Sequence, residues 1–246
     1  MMKIIPFLLI VFLLYVFVEP KIVWENTFRI DANADSYLTD VINLPNGHLA
    51  VLGHSKEGKS QIPFFLLVDG LSGKEISKMK IPTEGEPKLN SLSVTEDGYI
   101  LLVGSSIVKN KTLGWLVKMT LEGDWVEAKT IPADQGQYQF EKIVSLSSGE
   151  NILLARCDKV LDGSRWLGRV TGDLNTEQLN MIGRESIAEI VDMKAQRGNK
   201  ILIAANSKKS KISNSDHALL FNITNPKLPI TYETPFIEKG NVTLLK

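Results

Sequence analysis

The stretch DGYILLVGSSIVKNKTLGWLVKMTLEGDWVEAKTI, Asp97–Ile131, reads as three apolar strands separated by turn residues. A Gly turn leads into YILLVGSS, a polar loop leads into WLVKMT, and the Gly of LEGD leads into WVEAKTI. The same order recurs along the chain at steps of about fifty residues. Second strands are HLAVLGHS from His48, YILLVGSS from Tyr99, NILLARCD from Asn151 and KILIAANS from Lys200, each just after Gly47, Gly98, Gly149 or Gly198. Third strands follow in phase as FLLVDGLSG from Phe65, WLVKMTLEG from Trp115, WLGRVTGDL from Trp166 and ALLFNITNP from Ala218. Fourth strands are WENTFRI (Trp24–Ile30), EISKMKI (Glu75–Ile81), WVEAKTI (Trp125–Ile131), TEQLNMI (Thr176–Ile182) and TYETPFI (Thr231–Ile237).

One four-stranded sheet cannot bury both faces alone, so sheets repeated at constant length must cover one another. The spacing predicts an all-β chain, a β-propeller of four full blades after an N-terminal hydrophobic segment. No stretch from Trp24 onward carries the 3.6-residue period of a helix. A fourth-type strand stands at the front, Trp24–Ile30, and the last copy is already closed by Thr231–Ile237. An open or incomplete ring with partial strands at both ends is therefore expected, and its open blade edges could support self-association.

DGYILLVGSS with GWLVKMTLEGDW, and NGHLAVLGHS with FFLLVDGLSG, resemble bacterial exported β-propeller repeat proteins with kelch- or WD-like blades. The third and fourth copies depart from the pattern, carrying Arg156 and Ala205 where Gly53 and Gly104 are expected to align. The resemblance implies a fold and a structural or binding role, and shared fold transfers no activity.

Lys and Arg together number 28, as do Asp and Glu, which removes a global electrostatic case for nucleic acid. Lys3 precedes the apolar run Ile4–Val18, ended by Glu19, Pro20 and Lys21. That run has the length of a signal-peptide core and lacks small residues before Pro20 for cleavage. Residues 1–21 are read as a signal peptide or N-terminal membrane anchor and 22–246 as the repeat domain. The propeller is expected outside the cytoplasm, either membrane-anchored or secreted. The lone Cys157 excludes an internal disulfide and is read as a small buried side chain.

No metal-binding His or Cys spacing, phosphate loop or nucleophile elbow is present, and no cofactor is expected. Two groups of residues are candidates for ligand binding. Loops between second and third strands carry Lys56, Lys59, Lys109 and Lys111, suited to an anionic partner such as an acidic polysaccharide. First strands carry Asn43, Ser93, Ser145 and Asp192 in one apparent phase, suited to lining a central channel. Arg156 stands on a strand expected to be buried, where an ion pair with Asp158 or Asp162 competes with a ligand-binding role. The trp-led strands place large aromatics at repeated positions, read as filler between blades. These features predict a non-enzymatic binding module for a protein or polysaccharide partner at the cell envelope. The alternative is a propeller-type carbohydrate-active hydrolase or lyase with carboxylates in loops on the same face.

Overall fold

Apolar strands joined by tight turns pair with their sequence neighbours, because a hairpin satisfies backbone groups at the smallest loop-closure cost. The structure is a computed structural model that describes residues 22–28, 30, 34–58, 60–82, 85–132, 138–157, 165–182, 187–207 and 218–224. Blade 1 comprises β1 (Asp35–Asn43), β2 (His48–Glu57), β3 (Ser60–Asp69) and β4 (Glu75–Lys80). Blade 2 comprises β5 (Glu86–Val94), β6 (Tyr99–Val108), β7 (Lys111–Thr120) and β8 (Trp125–Ile131). Blade 3 comprises β9 (Tyr138–Ser145), β10 (Asn151–Cys157), β11 (Arg165–Val170) and β12 (Thr176–Ile182). Blade 4 is described through β13 (Ile187–Gln196), β14 (Lys200–Ser207) and β15 (Ala218–Ile223). Each sheet is an antiparallel meander in chain order, and the four are arranged as a propeller. Residues 1–21, expected to be a signal peptide or N-terminal membrane anchor, and the expected strand Thr231–Ile237 lie outside the described residues.

Consecutive first strands face one another, β1 with β5, β5 with β9 and β9 with β13. Three apolar clusters fill the clefts. Leu52, Phe65, Leu89 and Trp115 meet between blades 1 and 2, Val103, Phe140, Leu153 and Trp166 between blades 2 and 3, and Leu154, Ile182, Met193 and Ile203 between blades 3 and 4. Phe65, Trp115 and Trp166 are thus buried in the clefts, whereas Trp125, also expected as filler, is 37% exposed. By pairing, Phe64 opposite Gly53 is the counterpart of Trp115 opposite Gly104 and Trp166 opposite Ala155, so Phe65 is one residue out of that series.

Among the described residues, no blade precedes blade 1 in the chain. Leu89 and Phe140 are 0% exposed, whereas Leu38, at the same place beside the bulge in blade 1, is 62% exposed. Among the described residues, no preceding blade packs on Leu38. The outward face of blade 1 is covered instead by the leading segment: Trp24, Phe28 and Ile30 pack on Val51, Phe64, Leu66 and Val68. Trp24 Nε1 donates to the Gly70 carbonyl at 3.0 Å and Asn26 Nδ2 to the Gly73 carbonyl at 2.6 Å. Residues 22–28 are not a strand, which corrects the expected fourth-type strand at Trp24–Ile30. Trp24, Phe28 and Ile30 are half-buried on the sheet face instead, which removes apolar surface from water.

The turns fix the repeat frame. Leu44, Thr95 and Leu146 amides each donate at 2.8 Å to the carbonyls of His48, Tyr99 and Glu150. The third copy therefore starts at Glu150, one residue before the expected Asn151. Ala155, not Arg156, is the counterpart of Gly53, Gly104 and Ala205, and Arg156 aligns with His54, Ser105 and Asn206. A Cβ at Gly104 would fall 1.9 Å from the Lys88 carbonyl oxygen, so this position takes the smallest side chains.

Candidate functional site

Every first strand carries a register shift at an equivalent place: between Leu38 and Asp40, Leu89 and Ser91, Phe140 and Lys142, and Ile190 and Asp192. A bulge adds one residue, bends the strand and re-aims the side chains around it. Here the repeated bulges place Asp40, Ser91, Lys142 and Asp192 on one rung and Thr39, Asn90, Glu141 and Val191 beside it. Most of these line an axial cavity of about 860 Å³, together with Tyr37, His54, Lys88, Gln139, Arg156, Arg165 and Lys194.

Among the described residues, three carboxylates from three blades reach this cavity, and each is held differently. Asp40 Oδ2 accepts from Ser91 Oγ at 2.9 Å and from the Leu92 amide at 3.1 Å, and its Oδ1 accepts from the Val41 amide at 3.0 Å. It therefore clasps blade 1 to blade 2. Glu141 takes both prongs of Arg165, Nε at 2.8 Å and Nη2 at 3.2 Å, and the Arg165 side chain is 5% exposed. A guanidinium so buried needs such a fork to offset its desolvation. Asp192 has the most open carboxylate, 41% exposed, with Lys142 Nζ at 3.7 Å across the seam from blade 3 and Lys194 Nζ at 3.5 Å.

The blade 1 side of the cavity is closed by His54. Its Nε2 accepts from the Leu89 amide at 3.0 Å, which puts the ring proton on Nδ1, 3.1 Å from Thr39 Oγ1. Tyr37 stacks on the imidazole at 5.3 Å between centroids and is itself half exposed in the cavity. Burial, with Lys88's ammonium second, lowers the His54 pKa to about 4, and burial raises that of Tyr37. Because folded His54 resists the proton that an unfolded imidazole takes near pH 6.5, stability is full above that value and falls as pH drops from about 6.5 towards 4. A shift of this size corresponds to about 3 kcal/mol of lost stability by pH 4. Denaturant unfolding from pH 7 to pH 4 should show the decline, and His54→Gln should flatten it; equal slopes for the two proteins would contradict the assignment.

The expected site residues are distributed as follows. Asp192 lines the axial cavity. Asn43, Ser93 and Ser145 are not among its lining residues and do not share a rung with Asp192. Ser93 and Ser145 instead join blades 2 and 3, their hydroxyls 3.0 Å apart and the Ser145 amide donating to Ser93 Oγ at 2.9 Å. Lys56 ends β2, and Lys109 and Lys111 sit at the β6–β7 hairpin, where Lys109 and Asn110 both have positive φ, as a two-residue primed turn requires. All three lysines are exposed and outside the cavity lining. Lys59, and the Asp158 and Asp162 proposed as partners for Arg156, lie outside the described residues. Sequence reading passed over Asp40, Glu141, Lys142, Arg165 and His54. The signal that would have found them is the turn frame, which places Asp40, Ser91, Lys142 and Asp192 four residues before Leu44, Thr95, Leu146 and Gln196.

No family model matches the chain, and no curated protein matches it in sequence. Solved structures do match in fold. The endo-arabinase of Bacteroides thetaiotaomicron superposes with a TM-score of 0.54 at 12% identity, over 83% of this chain and 81% of that one. Fructan 1-exohydrolase IIa of Cichorium intybus gives 0.53 at 10% identity, over 88% of this chain and 46% of its own. The GH62 α-L-arabinofuranosidase catalytic domain of Coprinopsis cinerea gives 0.51 at 10% identity, over 83% and 70%. These likenesses establish the propeller fold. The solved propellers that it resembles carry the names of carbohydrate hydrolases and not of binding modules, which corrects the expected non-enzymatic binding module. Among the described residues, the carboxylates that line the cavity, Asp40, Glu141 and Asp192, stand on first strands.

Proposed function

We propose that this chain is a carbohydrate-active hydrolase that cleaves glycosidic bonds in its axial cavity. The observation that carries the reading is the convergence of Asp40, Glu141 and Asp192 from three blades on one cavity. Glycoside hydrolysis passes through a transition state with positive charge on the sugar ring, and carboxylates at fixed places stabilise it. Asp192, the carboxylate open to the cavity, is the one placed to act on water or on the sugar. Asp40 and Glu141 are fixed by their donors and supply negative charge without reorganising. Tyr37 offers an aromatic face to a sugar ring at the mouth. The fold shared with endo-arabinase, fructan exohydrolase and arabinofuranosidase structures supports the same chemistry.

The finer family reading, a bacterial exported repeat protein, fits this role, because polysaccharide substrates are met outside the cytoplasm. The apolar run Ile4–Val18 supports such an address. The test is incubation of the full chain with arabinan, fructan and uronate-containing glycans, with new reducing ends measured. Release above that of the Asp192→Asn protein is expected with at least one glycan class. Equal release from both proteins on all of them would overturn the hydrolase reading.

A further inference from the structure

Across the seam between blades 3 and 4, β9 faces β13, and their bulges set Lys142 and Asp192 on one rung of the axial cavity. Lys142 Nζ lies 3.7 Å from Asp192 Oδ1, with 15% of the lysine side chain exposed. An ammonium mostly withdrawn from water is costly unless an anion faces it, so this lysine is committed to its partner. Lys194 Nζ stands 3.5 Å from Oδ2, and 64% of its side chain is exposed. Water competes for that ammonium, and holding a long exposed side chain in one rotamer costs entropy.

The two oxygens of Asp192 are therefore held unequally. Oδ1 accepts from the Met193 amide at 2.9 Å and faces Lys142, so its place is set from two strands. Among the described residues, Oδ2 faces the exposed Lys194. The same rung is bridged at the other two seams by neutral donors: Asp40 Oδ2 accepts from Ser91 Oγ at 2.9 Å, and Ser91 Oγ accepts from the Ile143 amide at 3.5 Å. Only the bridge between blades 3 and 4 joins a mostly buried cation to a carboxylate that keeps one oxygen towards the cavity.

We propose that Lys142 is a positioning residue: it fixes Asp192 Oδ1 across the seam, so that Oδ2 is presented to water or to the sugar ring in the axial cavity. This rests on the hydrolase reading for the reaction it serves. A carboxylate set in place before the substrate arrives needs no reorganisation during the reaction, and a displacement of about 1 Å at a reacting group can cost roughly 100-fold in rate.

Reducing-end release from arabinan, fructan and polygalacturonate by the full chain tests this. On any of these that the parent protein cleaves, Lys142→Met should lower kcat about 10- to 100-fold and leave KM within about threefold, because the lysine acts through Asp192 and not on the glycan. Lys142→Arg, which keeps the charge, should recover most of the loss. Lys194→Met removes the same charge from an exposed position and should cost at least about fivefold less. In the Asp192→Asn protein, Lys142→Met should bring no further loss. Equal losses from the two lysine variants, a kcat within about threefold of the parent, or a change confined to KM would overturn the proposal. Urea unfolding of Lys142→Met, Asp192→Asn and the double variant reads the contact without turnover, and the midpoint shifts should fail to add. Additive shifts would remove the contact, and with it the proposal. Non-additive shifts with no glycan cleaved would remove the hydrolase reading and leave the clasp, whereas cleavage indifferent to Lys142 would do the reverse.

Discussion

Asp192→Asn should lower glycan hydrolysis by about 100- to 10,000-fold, the range over which a positioned carboxylate contributes to proton transfer or attack. The substitution is isosteric and retains an oxygen to accept from the Met193 amide, which reaches Asp192 Oδ1 at 2.9 Å. What it removes is the charge facing Lys194, which is 64% exposed so that water replaces the ion pair at small cost, and Lys142, which is 15% exposed and loses more. Unfolding should shift by about 1–2 kcal/mol, too little to unfold the protein, which separates a catalytic loss from a folding loss. Rates within threefold of the parent protein would remove Asp192 from the chemistry.

Phe140→Ala should destabilise the protein by about 3–5 kcal/mol. The ring is fully buried between blades 2 and 3, against Leu101, Val103, Leu116 and Leu153. Trp166 meets it edge-on, with centroids 6.4 Å apart and planes at 90°, and Tyr138 lies at 6.5 Å. The space it fills exists because residue 114 is a glycine: a Cβ there would stand 2.2 Å from the Phe140 ring. Truncation leaves a cavity walled by strands from two sheets that cannot collapse without separating the Asn90 Nδ2 to Phe140 carbonyl bond of 2.7 Å. Chemical denaturation of the variant should show an earlier midpoint with an unchanged slope. A loss below 1 kcal/mol would mean that the cleft is less tightly packed than the contacts indicate.

The sequence by itself determined the all-β class, the meander order and the four-blade propeller, because apolar runs and Gly turns act over a few residues and repeat in each copy. It also placed the second strands within a residue of β2, β6, β10 and β14 and marked Arg156 as unusual. Tertiary structure decided the rest. Side chains in a strand alternate between faces, so starting the third copy at Asn151 instead of Glu150 moved its inferred equivalences to the wrong face. That slip made Arg156 look like a replaced glycine when it is the counterpart of His54. The four first-strand bulges leave no mark in composition, yet they select Asp40, Glu141 and Asp192 for the cavity and leave Ser93 and Ser145 between blades. Trp24–Ile30 kept the pattern of a fourth strand, but a strand needs a free neighbour to bond and an apolar segment needs only a face to cover. Blade 1 supplied the face. The site itself joins residues about fifty positions apart on successive blades, a proximity that follows from sheet packing and from no local signal.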